Sequence, residues 1–343
     1  MSIIKANINL KSLNTFGIDV KARFYLNITN KEDLFNGFKF ITYNKLTSDL
    51  ILVLGGGSNI LFTKDFEGIV LHINTKGIKE KQENENKILV KAEAGEEWEN
   101  LITHCINKQL WGLENLSYIP GKVGSSPIQN IGAYGVEIKE TFEELEAYEI
   151  ISGNKKIFKF ADCKFGYRNS IFKSEYKNKF IIWSVTYKLS KNPSPNLTYK
   201  ALYQELIKNN IINPSLYDIH NAIIKIRKQK LPDPKHIGNA GSFFKNPIIP
   251  IEKLKLLLKD FPDIVYFTNK ESDTAKIAAA WLIEKCGWKG KNLGRAAVYS
   301  QQPLVIINKG GAKGEEILEL ANKIIDDVKK TFEIKLEPEV NIL

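Results

Sequence analysis

The chain has 343 residues, 43% hydrophobic and 10% aromatic, with a formal net charge of +10. That length exceeds one hydrophobic core, so two or three domains are expected, and no apolar run approaches the ~18–20 residues of a membrane span. Lysines are spread along the chain rather than gathered in one basic block with interleaved aromatics, which favours a phosphate-bearing small molecule over nucleic acid as the anionic partner. Met1 to Asn14 alternates short apolar and polar residues without the apolar centre of a signal peptide, so a cytoplasmic location is expected.

Lys31 to Leu46 carries Leu34, Phe35, Phe38, Ile41 and Leu46 at helical spacing, and Leu50 to Leu54 is a short apolar run that predicts a buried strand. Gly68 to Ile73 and Lys87 to Ala94 read as further strands. A helix is predicted after Gly95, with Trp98, Leu101, Ile102, Cys105 and Ile106 on one face. Leu145 to Ile151, Lys155 to Phe160 and Phe180 to Leu189 are β-rich, with Ser152-Gly153-Asn154 as a hairpin turn. Ser190 to Asn196 is a connector, after which the chain becomes α-rich. Helices are predicted over Ser215 to Lys230, over Ser272 to Cys286 (capped by Ser272 and stopped by Gly287), and over Lys313 to Thr331, where acids come early and lysines late.

Two glycine segments punctuate the β-rich half. Tyr118 to Glu137 holds Gly121, Gly124, Gly132 and Gly135, two prolines and a Ser-Ser pair, a composition that cannot hold a helix but can bring backbone N–H groups close to an anion. Gly55 to Asn59 follows a strand, yet it fails the dinucleotide fingerprint, because Ile60 stands where the third glycine belongs and strand-like residues follow where a helix is required. Together the two segments can present backbone and hydroxyl donors to a pyrophosphate without any basic residue. The odd, scattered cysteines (Cys105, Cys163, Cys286) fit a reducing compartment, and the four histidines show no metal-ligand spacing, so no metal is expected.

The chain resembles the UDP-N-acetylenolpyruvoylglucosamine reductases in Asn14-Thr-Phe-Gly-Ile-Asp19, Gly55 to Phe62, Ile119 to Glu137, Phe165 to Lys173, Leu231-Pro-Asp-Pro234, Gly238 to Pro247, Ala280 to Gly287 and Leu336 to Val340. Tyr199 in Leu197-Thr-Tyr-Lys200 resembles the larger, first type of that family. The resemblance implies an α+β FAD-binding fold of the vanillyl-alcohol-oxidase/p-cresol-methylhydroxylase type. An FAD-binding domain would span 1–192, with subdomains 1–75 and 76–192, followed by an α+β substrate-binding domain over 200–331 and a C-terminal return to the active site over 332–343. The family reduces the enolpyruvyl ether of UDP-N-acetylglucosamine to UDP-N-acetylmuramate with NADPH, in the cytoplasmic synthesis of peptidoglycan that supports cell shape and division. NADPH and the sugar nucleotide would use one site alternately, and the enzyme would be a monomer.

The same resemblance assigns residues. Non-covalent FAD would be held by Gly55, Gly56, Gly57, Ser58, Asn59, Ile119, Pro120, Gly121, Gly124, Ser125, Ser126, Gln129, Asn130, Gly132, Ala133 and Gly135. Arg168 would hold the enolpyruvyl carboxylate in its planar fork as it gains enolate character, Ser242 would deliver the proton, and Glu339 would help direct it. Tyr134, Tyr167, Tyr199, Lys230, Asn246, Lys289 and Gln302 would form the substrate shell, with Tyr266 or its neighbour Phe267 stacking on uridine. Asn341 stands where many relatives carry Arg. Two other readings are a flavin oxidase of the same fold and a non-catalytic nucleotide-sugar-binding protein. The first lacks a His or Cys tether in the Gly55 loop, and the second is disfavoured because Arg168, Ser242 and Glu339 are all present.

Overall fold

A computed structural model describes residues 3–268 and 273–343. The chain divides into two compact units, one of Met1–Ile8, Lys21–Gly57 and Phe66–Lys228, the other of Asn9–Val20, Ser58–Asp65 and Gln229–Leu343. No helix among the described residues is long and apolar enough to cross a membrane.

The first unit contains two sheets. In one, the strand order is Lys5–Asn9, Lys21–Ile28, Phe66–Ile73, Ile51–Leu54, and the last three run parallel. The crossover from Lys21–Ile28 to Ile51–Leu54 contains the helix Lys31–Tyr43, whose Asn30 cap accepts from Asp33 N–H. Leu34, Phe38 and Ile41 bury the expected face. Phe35 is 40% exposed, meeting Phe38 and Tyr148 edge-on, and Leu46 lies beyond the helix end.

The second sheet is antiparallel, in the order Lys155–Lys159, Phe142–Glu149, Phe180–Ser190, Lys87–Glu93, Ile78–Gln82. The Ser152-Gly153-Asn154 hairpin joins its first two strands, with Gly153 at φ +70°. All five apolar residues expected on the helix Trp98–Asn107 are buried. Trp98 donates from Nε1 to Leu116 O at 2.8 Å and meets the Tyr187 ring edge-on.

The second unit carries an antiparallel sheet in the order Gly238–Ser242, Val305–Asn308, Ala296–Val298, Asn292–Leu293. The helix Gly314–Phe332 has Glu315 and Glu316 in its first turn and Lys329 and Lys330 in its last, as the helix dipole favours, and buries Ile317, Leu320, Ile324 and Val328. A second sheet runs Ile248–Pro250, Thr274–Ile277, Tyr266–Thr268. This sheet corrects the expected helix over Ser272 to Cys286. Among its described residues only Ala279–Lys285 is helical, stopped at Gly287 with φ +74°, while Thr274–Ile277 is a central strand with Ala275 and Ile277 buried in period-two alternation. Pairing on both edges outweighs the local helical pattern. Ser272, the expected cap, lies outside the described residues.

Candidate active site

In the first unit the two glycine segments meet. Gly55 to Gly57 leave the carboxyl end of the parallel strand Ile51–Leu54, the edge of a parallel sheet at which ligands bind. A Cβ on Gly56 would stand 3.0 Å from Gly121 Cα, a crowded contact that bare backbone avoids. The segment after Gly121 is pinned along its length: Trp98 N–H donates to Gly121 O, Val123 N–H to Glu96 O, and Gly124 N–H to Ala94 O. Ser125 and Ser126 close a turn, donating from both backbone and hydroxyl to Lys122 O and Val123 O respectively. Their donors and that of Gly124 thus build the loop, an economy invisible in the sequence.

The Ser126 hydroxyl also lies 2.7 Å from the fully buried Tyr187 hydroxyl. Ser126→Ala is expected to cost about 1–3 kcal/mol in denaturant unfolding by stranding that phenol, and adding Tyr187→Phe should recover most of it. Asn130, buried, donates to Glu137 Oε2 and Gly166 O and accepts from Lys139 N–H, while Gln129 Oε1 accepts from Lys173 at 3.4 Å. These bonds fix the distal half of the glycine segment.

The close approach of the glycine loops is a cradle that side chains would fill, which fits a bound diphosphate. His72, the histidine hydrogen-bonded by Gly55, is buried with Nδ1 2.8 Å from Tyr25 Oη and Nε2 3.3 Å from Lys122 Nζ. It is engaged inside the unit.

Tyr167 and Arg168 form the tip of a tight turn closed by reciprocal bonds between Gly166 and Asn169. Arg168 is left-handed, φ +50°, an uncommon conformation for a long side chain. Its guanidinium donates to Gly132 O and its Cζ lies 5.4 Å from the Tyr167 ring centroid. A Cβ on Gly132 would come within 2.9 Å of Arg168 Nη1. The fork is thereby tied to the glycine segment. Tyr134, also left-handed, meets Tyr199 edge-on at 5.0 Å. Burial pushes the Tyr134 phenol up, and Arg227, hydrogen-bonded to it, acts in the opposite direction. Arg227 also donates from Nε to Tyr118 O at 2.8 Å, and its own pKa is pushed down by burial. Sequence reading missed Arg227, whose place in Ile226-Arg227-Lys228 reads as an ordinary helix surface.

In the second unit Ser242 ends the strand Gly238–Ser242 after a register break opposite Val305–Asn308. Gly241, φ +68°, makes the bulge, and Asn239 braces it by accepting Gly241 N–H and donating to Pro232 O and Ile237 O. Ser242 is half-buried, and its hydroxyl has no hydrogen-bond partner among the described residues. The C-terminal segment pairs with the residues just beyond: Glu339 N–H donates to Phe243 O at 2.7 Å, and Lys245 N–H to Glu337 O at 2.9 Å. Glu339 O accepts from Asn59 Nδ2, and Asn341 donates to Asn59 O from both backbone and side chain. Asn341–Ile342 then runs parallel to Ile60–Leu61. A backbone bond to Phe243 on one side and the Asn59 side-chain amide on the other hold the Glu339 main chain. Its neighbour Glu337 is exposed and ion-paired to Lys245 at 3.3 Å, which separates the two glutamates.

The remaining substrate candidates are also in this unit. Asn246 Oδ1 accepts Ala279 N–H at the start of a helix, Lys289 is ion-paired to Glu284 at 2.7 Å, and Gln302 Oε1 accepts Leu304 N–H. Lys230 is exposed. Tyr266 and Phe267 are successive strand residues on opposite faces, both exposed, with Lys276 Nζ 5.7 Å from the Phe267 ring centroid.

Residues 24–161 match the family of FAD binding domains, and residues 233–343 match the family described as UDP-N-acetylenolpyruvoylglucosamine reductase, C-terminal domain. A UDP-N-acetylenolpyruvoylglucosamine reductase of Flavobacterium johnsoniae is 46% identical over 341 residues, 99% of each chain. The chain belongs to the UDP-N-acetylenolpyruvoylglucosamine reductase family. Reductases of Amoebophilus asiaticus (47% identical, 99% of each chain) and Pseudomonas aeruginosa (41%, covering 99% of this chain and 98% of that one) are similar over the same span. The crystal structure of the Thermus caldophilus reductase shares the fold, with a TM-score of 0.68 at 21% identity, covering 100% of this chain and 99% of that one. The chain is thus an FAD-binding oxidoreductase of this family, with an FAD-binding domain, a C-terminal α+β domain and the fold of the Thermus caldophilus enzyme.

Proposed function

We propose that the protein reduces the enolpyruvyl ether of UDP-N-acetylglucosamine to UDP-N-acetylmuramate, with NADPH as reductant, in the cytoplasmic supply of peptidoglycan precursors. The observation that supports the residue roles is the backbone pairing of Glu337–Glu339 with Phe243–Lys245, the residues that directly follow Ser242 and its bulge. Gly55 to Asn59, Ile119 to Gly121 and Gly124 to Gly135 form the cofactor loops, with Ser125, Ser126 and Asn130 holding their shape. FAD, when bound, supplies the hydride to the terminal vinyl carbon.

Arg168 then holds the carboxylate and stabilises the charge that gathers on it. The Ser242 hydroxyl gives its proton to the carbon next to the carboxylate, a reaction open to a weak acid because an enolate carbon is strongly basic. Glu339 orients that transfer. Lys230 and Lys289 serve the diphosphate, Lys289 by exchanging Glu284 for phosphate. Asn246 and Gln302 serve the sugar, Tyr134, Tyr167 and Tyr199 its flank, and Tyr266 the uracil. Residues 200–331 form the substrate-binding part, and the enzyme works as a monomer.

A first test is spectroscopic. The purified protein should bind FAD and lose its visible flavin absorbance on anaerobic addition of NADPH. A protein that takes up no added FAD, or whose bound FAD ignores NADPH, contradicts the proposal.

A further inference from the structure

The one basic residue of the glycine segment Tyr118 to Glu137 is buried rather than displayed. Lys122 follows Gly121, is 5% exposed, and turns its side chain into the first unit. Its Nζ donates to Ile73 O at 2.9 Å and to Asn74 Oδ1, and lies 3.3 Å from His72 Nε2. Burial, then the neighbouring Lys122 charge, pushes the His72 imidazole down to about 4, despite the Gly55 backbone bond, so at neutral pH it is an uncharged acceptor. Tyr25, on the far side of that ring, is a neutral phenol. Among the described residues no carboxylate reaches ion-pair distance of Lys122. Glu97 and Glu96 favour its charge from further away, and Lys76, itself beside both, opposes it.

A buried ammonium held by neutral acceptors alone is costly unless an anion offsets it. Its location says which anion. Ile73 ends the strand Phe66–Ile73, and Gly55 follows the neighbouring parallel strand at the same edge, with its would-be Cβ 3.7 Å from Lys122 Cβ. This is the carboxyl edge of the parallel sheet and the wall of the glycine cradle.

We propose that Lys122 is the built-in counter-ion of the FAD diphosphate, a positioning charge seated behind the two glycine loops rather than a direct phosphate ligand. The proposal rests on the reading that those loops take the diphosphate. It amends the expectation of a cradle without any basic residue. The loop amides not already spent within the turn meet the phosphate oxygens, and the ammonium behind them supplies the net charge that amides lack.

The linked proton gives the test its signature. Burial holds Lys122 below the ordinary lysine range, and a diphosphate nearby moves it back up, so binding takes up protons at alkaline pH. ADP is the probe, because it carries the diphosphate without the flavin ring and its own ionisable N–H. Calorimetry of ADP binding to the flavin-free protein at a series of alkaline pH values, in buffers of different ionisation enthalpy, should show proton uptake. Lys122→Gln should abolish the uptake and weaken ADP and FAD roughly tenfold to a hundredfold, while riboflavin binding stays within about twofold. Lys122→Arg should recover part of the ADP affinity. No uptake by the parent, which needs no variant, overturns the proposal, as does equal weakening of ADP and riboflavin by Lys122→Gln. A parent that binds FAD but not ADP overturns the placement of the diphosphate on these loops, and the proposal with it.

Discussion

A Ser242→Ala protein is expected to be reduced by NADPH about as fast as the parent, and to pass its electrons to the enolpyruvyl sugar nucleotide ~10²–10⁴-fold more slowly. The split follows from where Ser242 stands. Its hydroxyl projects from a glycine-made bulge, half-buried and unbonded among the described residues, so removing it breaks no structural bond. The loss should therefore fall on proton delivery and leave stability and the reductive half-reaction almost untouched. Stopped-flow measurement of the two half-reactions separates these outcomes. Equal slowing of both would mean that Ser242 shapes the site instead of protonating the substrate.

Arg168→Lys should slow the same oxidative half-reaction by ~10²–10³-fold, although it keeps the charge. Lysine cannot offer a planar fork to a carboxylate while also bonding Gly132 O, and it sits no more easily in the left-handed backbone at φ +50°. Because the backbone conformation is common to both variants, unfolding midpoints should agree closely. The measurement is the oxidative rate against sugar-nucleotide concentration, in which both the limiting rate and the half-saturation should worsen. An Arg168→Lys enzyme as fast as the parent would remove the bidentate role.

The helices Lys31–Tyr43, Trp98–Asn107 and Gly314–Phe332 are legible in the sequence because apolar spacing and end signals are local properties. Thr274–Ile277 is not legible as a strand. Four residues carry too little pattern, and its partners Ile248–Pro250 and Tyr266–Thr268 are chosen by tertiary packing. In the same way the glycine segments announce a cradle, but not which amides are already spent: Gly124, Ser125 and Ser126 direct theirs inward. Lys122 and Arg227 escape sequence reading because a lone cation resembles any surface residue until its burial is seen. The anchoring of Glu339 depends on Phe243 and Asn59, both remote in the chain, and no local pattern encodes such pairings.

The central claim is that this site saturates an enolpyruvyl ether, and a single turnover tests it most directly. Protein reduced with one equivalent of NADPH, kept free of oxygen and given one equivalent of the enolpyruvyl sugar nucleotide, should regain its flavin absorbance. Mass spectrometry should then show the sugar nucleotide heavier by two hydrogens. Substrate recovered unchanged, with the absorbance returning only when oxygen is admitted, would contradict the account and point to an oxidase.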